Sequence, residues 1–341
     1  MKKIFLTGLL SLAIFTQAVA QEDKQETPKL LNIDIDTRFD FKSDFDTEYS
    51  FQTKNIKVIL TGEIAPGVRY RIRQRLNKPQ DPLARDNTSK ATDHAYLQFD
   101  VGNDLTFTVG KQSVQFGTFE FSYNPSDIYL SSLNNGDLDS YKLGINTAYR
   151  IKDQTLNFQL INGDAPQFAS KDYAKKGFGG LFLWEGSLFQ GVFNTRYGIG
   201  IFHYDTKKYL PWITIGNRLN LNDFTVELDW FKGEKNAELF EEEMLVHDQS
   251  VVFNLIYKVG KFSPQVKAVW DQRKTHNNFI NFKQDNEATK SFQAALEYYP
   301  FESERLKDLR FHTAFQYKDY NTDKKNENIF LVGVRWMFNV L

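Results

Sequence analysis

The chain has 341 residues, of which 42 are basic and 43 acidic, so its formal net charge is −1. This balance argues against a nucleic-acid partner, which would require a strong basic bias. The sequence contains no cysteine, which excludes disulfides, thiolate catalysis and cysteine-ligated metals. Aromatic residues make up 15% of the chain, more than the core of a single soluble domain of this size needs.

The N-terminus has the pattern of a secretory signal peptide. Met1-Lys2-Lys3 precede the apolar run 4–15, which is shorter than the about 20 residues of a spanning helix. The small-residue triplet Ala18-Val19-Ala20 is a signal peptidase site. We therefore predict a signal peptide over residues 1–20 and a short periplasmic segment over residues 21–32.

The recurring unit after this segment is a run in which apolar and polar residues alternate. In residues 33–41 one face carries Ile, Ile, Thr, Phe and Phe, and the other carries Asp, Asp, Arg and Asp. The same pattern recurs in residues 141–151 and 309–318. Alternation of this kind indicates a strand whose faces meet different solvents, and in a transmembrane barrel the apolar side chains face lipid and the polar ones face water. The sequence predicts an all-β, antiparallel up-and-down β-barrel over residues 33–341.

Connections between these runs alternate between tight turns and long polar loops, as they do in bacterial barrels. Counting the runs gives sixteen strands, an even number that returns both termini to the periplasm, with the glycines of 178–203 blurring the pattern. The longer connections are predicted at 77–92, 113–139, 162–177, 233–248, 273–288 and 319–327.

The five tryptophans give a further test of this strand map, because amphipathic rings prefer membrane interfaces. Trp184 and Trp336 fall at periplasmic strand ends, and Trp212, Trp230 and Trp270 fall at extracellular ends. All five are therefore predicted to lie in the aromatic girdles.

The last predicted strand carries an assembly motif. Gly333 is followed at fixed spacing by two aromatic residues, Trp336 and Phe338, which alternation places on the outer face. This pattern is similar to the C-terminal signal that the barrel-assembly machinery recognises, and the alternative is an ordinary edge strand.

The strongest functional feature is a row of arginines in residues 68–76, where Arg69, Arg71, Arg73 and Arg75 share one face. An arginine facing lipid costs about 2–4 kcal/mol, so the row is predicted to face the lumen, with neighbours about 7 Å apart. Lys57 on the preceding strand adds a cation, and we expect Arg71, Arg73 and Arg75 to lack an adjacent carboxylate. The row predicts a path for anions, and the alternative is a lattice of salt bridges that only stiffens the wall.

The predicted loop 113–139 contains acidic residues but no lysine or arginine; its acids are Glu120, Asp127, Asp137 and Asp139. If it folds inward it is a candidate constriction, and an acidic loop opposite a basic wall would create a transverse field. The alternative is a surface loop with solvated carboxylates.

The stretch 109–120 (Val-Gly-Lys-Gln-Ser-Val-Gln-Phe-Gly-Thr-Phe-Glu) and the arginine-bearing third strand resemble the phosphate-selective porin O and P family. The resemblance implies a sixteen-strand barrel, usually a homotrimer, with an arginine-lined pore. Two features depart from that pattern: no proline precedes Phe116-Gly117, and no lysine-rich vestibule is visible in the sequence.

Catalytic patterns are absent from the sequence. The five histidines lie on separate predicted elements without a nucleophile motif beside them, and no phosphate-binding glycine loop or metal motif occurs. We therefore predict no enzymatic activity and no cofactor. The expected protein is a porin of the Gram-negative outer membrane, which contacts lipid and passes small polar or anionic solutes. The alternatives are a structural or adhesive barrel with a plugged lumen and, less favoured, a barrel hydrolase.

Overall fold

The computed structural model describes residues 29–47, 49–80, 86–163, 168, 177–239, 242–276 and 286–341. The predicted signal peptide lies outside these residues, as does most of the predicted periplasmic segment. No helix among the described residues is long and apolar enough to cross a membrane.

Sixteen antiparallel strands form a closed barrel in which each strand pairs with its neighbours in sequence and β1 pairs with β16. The first eight strands are β1 (Asn32–Ser43), β2 (Tyr49–Ala65), β3 (Val68–Arg75), β4 (Thr92–Val101), β5 (Leu105–Ser113), β6 (Tyr141–Ile151), β7 (Gln154–Asn162) and β8 (Phe178–Leu188). The second eight are β9 (Phe193–Asp205), β10 (Lys208–Leu221), β11 (Phe224–Leu239), β12 (Glu242–Tyr257), β13 (Phe262–His276), β14 (Asn286–Tyr298), β15 (Arg310–Tyr320) and β16 (Glu327–Asn339). The predicted fold class and strand count are confirmed, including two strands within 178–203.

The wall follows the alternation that the sequence predicts. In β10, Leu210, Trp212 and Thr214 are buried inside the barrel, while Tyr209 and Ile213 are exposed on its outer face. Closure satisfies the backbone hydrogen bonds of every strand and leaves no edge, which lipid requires.

Two of the predicted long connections are wrong. Residues 233–248 form most of a hairpin, because β11 continues to Leu239 and β12 begins at Glu242. Similarly, β13 continues to His276 and β14 begins at Asn286, inside the predicted loop 273–288. The extended parts carry polar residues on both faces, as expected where a strand projects beyond the bilayer, so the alternation that marks a strand is lost there.

The connection between β5 and β6, residues 114–140, is called here the lumenal loop. It contains two short 3₁₀ helices, Glu120–Ser122 and Pro125–Asp127, and one α-helical turn, α1 (Leu133–Asp137). The side chain of Ser132 caps α1 by accepting a hydrogen bond from the backbone N–H of Asn135 at 3.2 Å.

Candidate functional site

The lumenal loop lies inside the barrel and is bonded to its walls. The backbone N–H groups of Phe119 and Glu120 donate to the two carboxylate oxygens of Asp229 on β11, at 3.1 and 2.8 Å. Asp229 is 1% exposed, and β11 lies across the barrel from the strands that carry the loop. The loop therefore crosses the lumen, and the surface-loop alternative does not apply.

A second anchor holds the middle of the loop at the seam between the first and last strands. Asp36 of β1, which is fully buried, accepts hydrogen bonds from Asn124 and Ser126 of the loop, both at 2.9 Å. The same carboxylate accepts from Nε of Arg335 on β16 at 3.1 Å. One aspartate thus joins β1, β16 and the loop, and we call this group the seam clamp.

The acidic residues of the loop do not present free carboxylates to the arginine row. Each acid forms an ion pair with a lysine or arginine of a barrel strand. The shortest nitrogen–oxygen distances are 2.7 Å for Glu120–Lys267, 2.5 Å for Asp127–Arg310, 2.7 Å for Asp137–Arg273 and 2.8 Å for Asp139–Lys142. Three of the four partners lie on β13 or β15, across the lumen from β3. The expected field between an acidic loop and a basic wall is weakened because the acids are neutralised locally.

Asp137 shows how strongly these pairs favour the charged form. Burial raises the pKa of its carboxyl, but the charges of Lys235 and Arg273 outweigh burial and hold the pKa below its ordinary value of 3.8. The carboxyl is therefore ionised at neutral pH and fixes α1 against β11 and β13.

The expectation that Arg73 and Arg75 lack an adjacent carboxylate is wrong. Asp93 of β4 accepts from Nε of Arg73 at 3.0 Å and from Nε of Arg75 at 2.7 Å. Thr92 pairs with Gln74 and the next residue in register is His94, so Asp93 is the extra residue of a β-bulge. The bulge places the Asp93 carboxylate inside the barrel. Strict alternation counted from His94 predicts that Asp93 faces outward.

The remaining cations of the predicted path differ in their accessibility. Arg69 is half-exposed and pairs with Asp100 at 2.6 Å. Arg71 donates to Nδ1 of His94 at 3.1 Å and forms no ion pair among the described residues. Lys57 is fully buried and donates to the side chain of Asn124 in the lumenal loop at 2.8 Å. Lys57 therefore anchors the loop and has no surface that faces the lumen.

A basic cavity of about 940 Å³ opens on the extracellular side, between strands β2–β6 and the lumenal loop. Its lining includes Arg75 together with five lysines, which are Lys54, Lys78, Lys90, Lys111 and Lys142. Lys111 pairs with Asp86 and Lys142 with Asp139, whereas Lys54, Lys78 and Lys90 form no ion pair within the described part of the chain. We call these three unpaired residues the lysine rim. The lysine rim lines the extracellular mouth, although the sequence shows no lysine-rich vestibule. The sequence pattern did not reveal it because Lys78 and Lys90 belong to a connection and Lys54 lies at a register shift between β1 and β2.

The opposite part of the lumen is filled by an apolar cluster. Phe116 of the loop packs against Phe202 and Trp212 of the wall, and Phe121 of the loop packs against Phe231. Phe116 and the three wall residues are at most 3% exposed. Trp212 faces inward and its indole N–H donates to the backbone oxygen of Glu234 at 3.0 Å, so its predicted place in the girdle is wrong. Water-filled space is therefore confined to the part of the lumen that the cluster leaves open.

The C-terminal motif lies at the seam. Trp336 and Phe338 stack with ring centroids 4.1 Å apart on the outer face of β16. Gly333 faces inward, where a Cβ atom would lie 2.3 Å from the backbone oxygen of Phe39 and 2.7 Å from Nε2 of His312. The glycine thus allows close approach of β1, β15 and β16, while recognition by the assembly machinery stays a prediction.

Comparisons with known proteins agree with the barrel fold. The family model described as phosphate-selective porin O and P matches residues 30–279, which is more than half of the chain. No curated protein matches the sequence significantly.

Solved structures show the same fold at low sequence identity. OmpT, an outer membrane protein of Vibrio cholerae, superimposes with a TM-score of 0.65 at 11% identity, covering 94% of this chain and 100% of its own. The outer membrane channel DcaP of Acinetobacter baumannii gives the same TM-score, identity and coverage. Salmonella typhi OmpF gives a TM-score of 0.63 at 11% identity, covering 90% of this chain and 97% of its own.

Proposed function

Because the chain belongs to the phosphate-selective porin O and P family, and is therefore an outer-membrane porin and not an enzyme, we propose that it favours small anions and selects them at the basic cavity. The observation that carries this proposal is the lysine rim. Three ammonium groups at the extracellular mouth form no ion pair among the described residues, so they raise the local concentration of anions.

Below the rim, the arginine row extends the same wall toward the periplasm. Asp93 neutralises one of the two charges of Arg73 and Arg75, and Arg71 adds a charge without a carboxylate partner. The guanidinium group of Arg73 also lies 4.8 Å from the centre of the Tyr141 ring, which holds it in place. In this proposal an anion attracted at the rim moves along a wall of fixed donors whose net charge is positive.

The family is consistent with this preference, and the trimer form recorded for Vibrio cholerae OmpT makes a homotrimer the proposed assembly. In that assembly each chain would contain its own lumenal loop and basic cavity, because both are built from one chain.

The test is the reversal potential of the purified protein in a planar bilayer under a salt gradient. Replacing Lys54, Lys78 and Lys90 together by Gln should shift the reversal potential toward cation preference. The shift should shrink at high salt, since the Debye length falls from about 10 Å at 0.1 M to about 3 Å at 1 M.

A control variant removes the same number of charges elsewhere, with Lys207, Lys261 and Lys307 replaced by Gln in turns outside the cavity. Equal shifts in the two variants would show that net charge matters and the cavity does not. A protein that inserts but carries no measurable current would instead support the barrel with a plugged lumen.

A further inference from the structure

A second polar cavity lies in the periplasmic half of the lumen, across the barrel from the arginine row. Its volume is about 310 Å³, at the lower end of the range of about 300–1,000 Å³ typical of small-molecule sites. The walls are the periplasmic parts of strands β10–β15, and Tyr123, Ile128 and Tyr129 of the lumenal loop form its roof. These three residues also line the basic cavity, so the roof separates the two spaces.

The roof is held by two matching groups of side chains. Tyr123 donates to Glu227 at 2.7 Å, and Arg218 donates to the same carboxylate oxygen at 2.7 Å. Tyr129 donates to Glu297 at 2.7 Å, and Nε of Arg310 lies 3.0 Å from that oxygen.

Burial, together with the neighbouring glutamates, raises the pKa of both tyrosines above its ordinary value, so each hydroxyl is protonated and donates. The cavity is therefore formed before any solute binds, and the carboxylates of Glu227 and Glu297 are already bonded to protein groups.

The wall of the cavity offers polar groups that are not used within the described residues. The amide of Gln265, the hydroxyl of Ser263 and the ammonium of Lys258 have no side-chain hydrogen bond there. Gln293 is 2% exposed, and its Oε1 has no hydrogen-bond partner in the part of the chain that the structure describes. A buried acceptor without a donor is unfavourable, and a hydroxyl group in the cavity would satisfy it.

These groups define the chemistry of an occupant. Two amides and a hydroxyl match a solute with several hydroxyl groups, and Lys258 supplies one positive charge without a protein counter-ion among the described residues. We propose that this cavity is a second solute-binding site and that it takes a small hydroxylated carboxylate, such as a sugar acid.

The site rests on other residues than the lysine rim, so the two proposals can fail separately. Gluconate added on the periplasmic side of a planar bilayer should produce reversible current interruptions, from which a dissociation constant is obtained. Gln293→Leu should weaken gluconate binding by about tenfold, as expected for the loss of one hydrogen bond to a buried side chain, with an unchanged reversal potential. Ser263→Ala is a smaller change that keeps the test available if Gln293→Leu does not assemble.

The matched control is Gln98→Leu, which makes the same substitution on an inward-facing residue of the opposite wall. Glucose and propionate, which carry only the hydroxyl groups or only the carboxylate, should bind more weakly than gluconate. Equal binding of glucose and gluconate would overturn the carboxylate assignment. Equal gluconate binding by Gln293→Leu, Ser263→Ala and Gln98→Leu would overturn the site itself, whatever the lysine rim variant shows.

Discussion

The bulge residue Asp93 supports a stability prediction that can be worked from the contacts. Asp93 is 1% exposed, and both of its ion-pair partners, Arg73 and Arg75, approach the same oxygen. Arg73→Gln alone leaves Arg75 in place and should cost about 1.5–3 kcal/mol, the value of a hydrogen bond to a charged group. The double variant strands a buried carboxylate, which should cost about 3–5 kcal/mol.

The free energy of unfolding is measured by urea denaturation of the full-length protein in detergent micelles, with heat-modified gel mobility as a check on folding. Adding Asp93→Asn to the double variant removes the stranded charge and should restore most of the lost stability. Arg69→Gln is the control, because its ion pair is exposed and should contribute only about 0–1 kcal/mol. If the double variant is no less stable than the control, and Asp93→Asn restores nothing, the bulge does not hold the wall as described.

Two further predictions concern the seam and the loop. Gly333→Ala places a Cβ 2.3 Å from the Phe39 oxygen and should reduce the folded fraction on gels, and unchanged assembly would contradict the close approach. The lowered pKa of Asp137 means that its stabilising contribution is fully present above 3.8 and is lost as the pH falls through the lower folded-state value. Single-channel current noise should therefore rise only as the pH falls below 3.8, and Asp137→Asn should show that noise at neutral pH as well, whereas a flat wild-type profile would refute the reasoning.

The fold was predictable from the sequence because lipid and water impose opposite demands on alternate residues of every strand. That constraint acts only within the bilayer, which explains why the outer parts of β11 and β12 were interpreted as a loop. The prediction for Trp212 was wrong for a related reason. Its position along the strand indicates a membrane interface, but the alternation of side chains places it on the inner face, against Phe116 of the loop. A pattern within one strand does not reveal which lumenal side chains a distant loop will cover.

The candidate site was predicted less well, because it depends on the bulge residue Asp93 and on the path of the lumenal loop. Strict alternation is a reliable guide until a bulge occurs, and the bulge at Asp93 changes the charge of the arginine row. Lys78 and Lys90 lie in a connection and Lys54 lies at a register shift, so no periodicity assigns them to a face and the lysine rim emerged only from the structure. The acidic loop was recognised as a candidate constriction, but its ion pairs with β13 and β15 connect residues more than 100 positions apart.

The seam clamp links the completion of the wall to the position of the loop. Asp36 belongs to the first strand and Arg335 to the last, so the group that holds Asn124 and Ser126 is incomplete until β1 and β16 pair. During insertion, a barrel with an open seam lacks Arg335, so Lys57 of β2 is the cation that remains beside this carboxylate. Pairing of β16 with β1 therefore also fixes the position of the lumenal loop inside the channel. A barrel that has not closed is expected to differ in permeability from the assembled protein.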